Sequence, residues 1–248
     1  MAASGRFALL HPLPSPATML SAALLLAAFF PALHYAEPRP LPLAAGLALV
    51  VLGVLIRVAT NGVLKKNEAA FRDGPYALCR HPMYAGTITL AAGIAVALNH
   101  LPALAVPAAA IAISLWRIRK EEAFLGARFP DYAAYRREVP AFPTPGSLAR
   151  AAAAGRLRFA FSLRQCFLNG EMLRLNLYLP LLLACGFYLE RLGRLALPTA
   201  TLAAGGGLSL ALAAVSLRLH PPESSRSRLD YLLPAALGLG LLALALHG

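Results

Sequence analysis

Charge is scarce in this chain of 248 residues: Asp, Glu, Lys and Arg make up 14% of it, against about a quarter in an average soluble domain. Acidic residues are scarcer still, 11 against 23 basic ones. Runs such as Met19 to Pro31 and Leu229 to Leu246 hold almost nothing that could face water, which excludes an ordinary soluble domain. The only cysteines are Cys79, Cys166 and Cys185, too few for a disulfide framework. Cys79 sits beside Arg80 and reads either as a reactive thiol of lowered pKa or as a small space-filling residue. His11, His34, His100, His220 and His247 are scattered without metal-ligand spacing, so no metal is expected. No repeat of fixed period and no inverted pair of broken helices is visible, which weighs against a transporter.

What the chain does have is apolar helix. The hydrophobic fraction is 58% and the mean hydropathy +0.63. A bilayer core of roughly 30 Å needs about 20 apolar residues per helix. Seven segments meet or approach that length: Thr18 to Tyr35, Leu41 to Val58, Met83 to Leu98, Leu101 to Trp116, Leu173 to Leu189, Leu195 to Leu217 and Leu229 to Leu246. The fold class is therefore all-α, a polytopic transmembrane helical bundle of about seven spans. The first segment reads as a retained helix rather than a signal peptide. Arg6 is the only basic residue before it, and no clean cleavage site follows.

The net charge of +12 would suggest nucleic acid in a soluble protein. With the N-terminus inside, however, the inner segments hold all but three of the basic residues, and the outer loops hold Arg39, Arg191 and Arg194. That asymmetry assigns the charge to membrane topology and anionic lipid, with no nucleic-acid partner. The expected protein is integral and multi-pass, its N-terminus and any active site cytoplasmic.

Three parts follow along the chain. Residues 1–145 form a four-span core with a motif-rich end, and residues 171–248 add three spans. Between them, residues 146–170 form a basic connector, with Arg150, Arg156, Arg158 and Arg164 among Leu157, Phe159, Phe161, Leu163 and Phe167. This connector reads as a basic amphipathic segment at the membrane interface or as a solvated linker helix. The last three helices could bind substrate, wrap the core or pair protomers.

The third and fourth spans are joined by so short a turn, Asn99 to Pro102, that they must form a hairpin. Its inner ends are then neighbours: Arg80-His81-Pro82-Met83-Tyr84 at one helix start, and Trp116 to Glu122 at the other helix end. Gly74-Pro75 is a turn signal, and Pro82 suits a first helical turn. His81 falls near the N-cap, and Gly86 admits a second backbone or a ligand. The helix start favours an anion. Glu121 and Glu122, adjacent at a helix C-terminal end, oppose the dipole and call for a cationic partner, whether a ligand ammonium or sulfonium, Arg80 or Arg117. His81 could also merely cap its helix, Tyr76 and Tyr84 could belong to an aromatic belt, and Tyr132 and Tyr135 could pack an amphipathic turn.

Gly74-Pro75-Tyr76, Arg80 to Gly86, Glu121-Glu122-Ala123-Phe124-Leu125, Phe129-Pro130-Asp131-Tyr132, Tyr135 and Val139-Pro140, in that order, resemble the isoprenylcysteine carboxyl methyltransferase family and the related phospholipid methyltransferases. The resemblance covers roughly Arg57 to Pro143, less than half the chain. It implies S-adenosylmethionine as cofactor, in a cytoplasmic pocket at the helix ends. Cofactor-binding residues would be Tyr76, His81, Tyr84, Gly86, Glu121, Glu122, Tyr132 and Tyr135, and Arg80 and Glu122 would be catalytic. The implied acceptor is a lipidic, prenylated or otherwise small hydrophobic molecule presenting a carboxylate, amine or thiol, with membrane lipid as a partner. Membrane sterol reductases using NADPH look similar around Leu78 to Pro82, but there an Asp usually follows the motif glycine, where Thr87 stands here. A non-catalytic lipid-binding protein is the reading from a different class.

Overall fold

A computed structural model describes residues 27, 29–64, 72–158, 160–219 and 232–247. All regular structure among them is helical. The first predicted span is described only from residue 27 on; Arg6, His11, Lys65, Lys66, Phe159, His220, Arg226 and Arg228 lie outside the described residues.

Pro40 opens α1 (Pro40–Val63), where its missing N–H falls among groups that have no intrahelical partner. Its 24 residues reach about 36 Å at 1.5 Å per residue, enough to cross a bilayer. A short turn, α2 (Pro75–Leu78), leads to α3 (Pro82–Leu98). Asn99 ends α3 in the left-handed region at φ 51°, a cap that Asn tolerates better than most residues. A 3-10 turn at Leu101–Leu104 runs into α4 (Ala105–Arg128). Then come α5 (Tyr132–Glu138), α6 (Ser147–Ala153), α7 (Leu163–Leu168), α8 (Glu171–Arg191), α9 (Thr199–Arg218) and α10 (Leu232–His247).

Among the described residues four helical stretches are long and apolar enough to cross a membrane: Pro40–Val63, Leu101–Arg128, Glu171–Arg191 and Thr199–Arg218. The apolar helices at Pro82–Leu98 and Leu232–Leu246 are shorter. Among the described residues six of the seven expected spans thus appear as helices over most of their length, four of them full length, and the described part of the first, residues 27 and 29–34, is helical as well.

The core is an antiparallel pair, α1 on α3, drawn together by glycines two turns apart on each. A Cβ on Gly53 would lie 2.6 Å from the Gly86 carbonyl oxygen, and one on Gly46 would lie 2.5 Å from that of Gly93. Only glycine permits this approach, which in lipid substitutes packing for a hydrophobic drive between helices. The expected α3–α4 hairpin is present, and its turn is held by Asn99 Nδ2 donating to the Glu37 carbonyl at 3.0 Å.

The last three helices form their own bundle. Gly206 and Gly238 face each other across α9 and α10. Ser209 Oγ sits 3.1 Å from Asn176 Oδ1 and 3.2 Å from the Pro234 carbonyl oxygen, two acceptors for one proton, while Asn176 Nδ2 is buried without a partner. Turning the amide over resolves this: Nδ2 then donates to Ser209, whose proton goes to Pro234. All three helices are joined by that chain.

The connector is not one helix. Two short helices, α6 and α7, flank an irregular stretch, and two of its arginines serve the protein rather than lipid. Arg150 Nη2 donates to the Ala77 and Leu78 carbonyls at 3.2 and 3.1 Å, and Arg156 pairs with Glu138 at 2.7 Å. Its far end stoppers α1: Asn169 Nδ2 donates to the carbonyls of Asn61 and Leu64 at 2.9 and 2.8 Å, satisfying acceptors that a helix end leaves open.

Candidate functional site

The helix of the fourth span does not stop at the expected boundary near Trp116 but runs on to Arg128. Glu121 and Glu122 therefore stand inside it, six or more residues before its end, where the macrodipole, felt only within the last turn, exerts little force. The helix dipole therefore does not by itself call for a cationic partner. The partner itself is there.

Glu122 is the centre of the arrangement. Its Oε1 accepts from Arg80 Nε at 3.0 Å and Nη2 at 2.7 Å, and lies 3.0 Å from His81 Nε2. Its Oε2 lies 3.5 Å from Arg136 Nε. Both Arg80 and Glu122 are largely buried, at 9% and 13% side-chain exposure, so solvent screens this pair far less than a surface ion pair. His81 does occupy the N-cap position of α3, yet its side chain makes no cap hydrogen bond and goes to Glu122 instead.

Arg80 also reaches the chain that follows α5. Its Nη1 donates to the Arg136 carbonyl at 3.0 Å and to the Val139 carbonyl. The backbone repeats the connection, with Arg80 N donating to Pro140 O at 2.8 Å and His81 N to Ala141 O at 3.1 Å. Residues 136–141 thus form a strap laid against the Arg80–His81 segment. Under it Tyr135 is buried and donates through its hydroxyl to the Tyr76 carbonyl at 2.8 Å. Gly74, at φ 58°, makes the turn that brings Tyr76 there, a backbone state that strains any residue with a Cβ.

Tyr132 is 3% exposed, and its hydroxyl makes no hydrogen bond of normal geometry, although Arg80 and Glu122 are close by. Burial first, then the Glu122 charge, push that hydroxyl up to about 12. Glu121 is exposed and lies against the Tyr84 hydroxyl. Burial, and next the charge on Glu121, hold Tyr76 well above the ordinary phenol range. Two groups therefore flank α4: Arg80, His81, Arg136 and Tyr132 around Glu122, and Tyr84 and Tyr76 near Glu121.

Gly86 takes neither side. A Cβ there would lie 2.8 Å from the Gly53 carbonyl oxygen and 2.8 Å from Arg57 Cγ, so its open space is filled by α1. Cys79 is 1% exposed, and burial pushes its thiol up to about 11 despite Arg80 and Arg150 nearby. It is the space-filling residue, not a reactive one.

Sequence reasoning passed over one group. Arg57, one of the basic residues assigned by charge to the inner segments, is inside α1 and buried, and its Nε and Nη2 donate to Glu171 Oε1 and Oε2, each at 2.9 Å. Arg174 joins from 2.9 Å. The available signal was an arginine at the end of an apolar run, which in a membrane implies a buried partner.

Residues 41–131 match the family model described as phospholipid methyltransferase, in agreement with the resemblance of the motif, and this match supports a membrane methyltransferase. The chain is 38% identical over 104 residues to the cobalt-zinc-cadmium resistance protein CzcN of Cupriavidus metallidurans, over 38% of this chain and 48% of that protein. It is 32% identical over 105 residues to the nickel-cobalt-cadmium resistance protein NccN of Alcaligenes xylosoxydans xylosoxydans, over 38% of this chain and 49% of that one. The chain spans about half the length of these curated relatives. No solved structure matches.

Proposed function

We propose that this chain is an integral membrane methyltransferase that takes its methyl group from S-adenosylmethionine and passes it to a hydrophobic acceptor. The observation that carries the reading is the gathering, at one end of the hairpin, of Arg80, His81 and Tyr84 with Glu121 and Glu122, inside the segment that matches the phospholipid methyltransferase family. The donor set suits the cofactor. An exposed carboxylate, Glu121, stands beside two tyrosines, as a cationic ligand requires, and the Tyr132 hydroxyl is a buried polar group short of a partner.

When bound, S-adenosylmethionine supplies a methyl group on a positive sulfur whose charge disappears in the transfer. The protein's part is placement, because an in-line displacement gains most from holding nucleophile and leaving group in register. Glu121 and Tyr84 would hold the cationic and methionine portion, with Tyr76 beside them. Glu122 is already surrounded by Arg80, His81 and Arg136, so its role is to fix the strap and the start of α3 rather than to face the ligand. The strap at 136–141 would keep water from the transfer, and Tyr132 beneath it offers the cofactor a hydroxyl.

A lipidic or prenylated acceptor with a carboxylate, amine or thiol is supported by a cavity of about 640 Å³ between the helical segment at residues 29–34, α1, α3 and α8. Its lining includes Phe29, Leu33, Val54, Leu90, Leu181 and Tyr178, and Arg57 lies within electrostatic reach of both Tyr178 and Tyr84. A cytoplasmic site is supported by the basic-residue asymmetry. Among the described residues no group of three His, Cys, Asp or Glu is placed to hold a metal ion. The test is transfer of a labelled methyl group from S-adenosylmethionine into crude membrane extract. Label should enter the lipid fraction with the wild type and be lost with His81→Ala; absence of transfer by the wild type, together with no S-adenosylhomocysteine binding, overturns the proposal.

A further inference from the structure

We infer that Glu171, the first residue of α8 and outside the family match, is a positioning residue that sets the first turn of α3 and with it Tyr84. The inference rests on the cofactor reading above for its functional consequence but not for its geometry. Glu171 is fully buried, and its two oxygens are taken by Arg57 Nε and Nη2 in a fork-to-fork pair, the geometry in which a guanidinium is most firmly oriented. Thus held, Arg57 has one direction left for Nη1, and it donates to Thr87 Oγ1. The Thr87 hydroxyl, having accepted that proton, donates its own to the Met83 carbonyl at 3.0 Å. Met83 is the neighbour of Tyr84. A second arm is weaker: Asn61 Nδ2 lies 3.1 Å from Glu171 Oε2 and 3.3 Å from Met83 Sδ. That amide also faces the Arg57 carbonyl at 2.9 Å, so two protons serve three acceptors and the thioether is the poorest of them.

The stem of Arg57 is fixed as well, since its Cγ fills the space beside Gly86. Arg57 therefore cannot follow a displaced Glu171 without disturbing α3 between Met83 and Thr87. Arg174 keeps the carboxylate paired from the other side, at 2.9 Å, and a charge buried in this way is costly to leave without its partners. The bundle formed by the last three helices would thus complete the site rather than simply add to the membrane anchor, because α8 supplies the carboxylate from which the relay starts.

The experiment uses the full chain in detergent, labelled with 3-fluorotyrosine, with the Tyr84 resonance assigned by Tyr84→Phe. It compares wild type, Glu171→Gln, Thr87→Val, Thr87→Ser and, as a packing control in the last three helices, Asn176→Ala. Glu171→Gln and Thr87→Val are expected to move the Tyr84 resonance and to weaken S-adenosylhomocysteine binding, measured by calorimetry, roughly tenfold, the scale on which lost orienting contacts act. Thr87→Ser restores the hydroxyl and should restore the wild-type signal. Asn176→Ala should lower the Tm and leave Tyr84 where it was. If Glu171→Gln does not fold, Thr87→Val decides, since it removes only the relay hydroxyl. A Tyr84 resonance unmoved by Thr87→Val, or moved equally by Asn176→Ala, overturns the inference. A wild type that binds no S-adenosylhomocysteine would sink the cofactor reading instead, while the Tyr84 signal would still decide on Glu171.

Discussion

Replacing Glu122 by Gln keeps the shape of the side chain and removes its charge, so it isolates what the carboxylate does at the centre of the clamp. In the native arrangement one oxygen receives two contacts from Arg80, at 2.7 and 3.0 Å, and one from His81 at 3.0 Å, and the other oxygen faces Arg136 at 3.5 Å. Gln retains a single carbonyl for the first set and turns an amide donor toward Arg136, an unfavourable pairing. Hydrogen bonds to charged groups contribute about 1.5–3 kcal/mol each, but a neutral acceptor recovers part of that. The net cost should be about 2 kcal/mol, which for a chain of this length corresponds to a fall in Tm of roughly 4–8 °C. The single tryptophan, Trp116, lies in the same helix with the Lys120 ammonium 4.0 Å from its ring centroid, so its fluorescence in detergent reports the transition. Hydrogen exchange supplies the local measurement: the amides of Arg80 and His81, which bond to the strap, should lose protection before those of α1. An unchanged Tm with wild-type protection at Arg80 and His81 would refute Glu122 as the clamp.

Gly53→Leu should be among the most damaging changes in the membrane-spanning part. Even its Cβ would stand 2.6 Å from the Gly86 carbonyl, and overpacking of this kind costs about 1–3 kcal/mol or more. A substantial drop in Tm is expected, whereas Gly207→Leu, with open space at its Cβ, should be tolerated. Cys79 and Cys166 give the alkaline limit. Burial raises both thiols from 9.0 to about 11, so the folded state keeps protons that the unfolded state has lost. The stabilisation is complete below about pH 9 and disappears as pH rises toward 11. Cys79→Ala should flatten that decline in Tm, and native protein at pH 7.5 should react with maleimide at Cys79 only on unfolding.

What could be read from the sequence was local or was forced by chain length. The turn at Asn99 to Pro102 leaves α3 and α4 no choice but to run antiparallel, and that alone brings Arg80 within reach of Glu122, 42 residues away. The spans were legible because lipid leaves the backbone few alternatives to helix. Two features escaped for the opposite reason. The Arg57–Glu171 pair joins residues 114 apart, across helices whose relative placement no short turn dictates. The connector carries a basic, aromatic composition that suits lipid, yet Arg150 caps the end of α2 and Arg156 meets Glu138, since composition cannot say which acceptor an arginine will find first. Glu121 and Glu122 were misplaced at a helix end because a helix that leaves the membrane need not stop there.

That extension of α4 also separates the roles of the two glutamates. Neighbours on an α-helix point about 100° apart, so they cannot both face one ligand equally. Glu122 turns to Arg80, His81 and Arg136, and Glu121 turns to Tyr84 in an exposed position. Glu121→Gln should therefore leave the Tm within experimental error, because among the described residues no ion pair depends on it, while S-adenosylhomocysteine binding weakens through the lost charge opposite the ligand's ammonium. Glu122→Gln should lower both, the binding only through the displaced strap. Calorimetry and thermal unfolding on the two variants make the comparison directly. Should Glu121→Gln bind the ligand as tightly as the wild type, Glu121 does not face the cofactor; the cationic end would then have to be sought on the Tyr132 side of α4, under the strap.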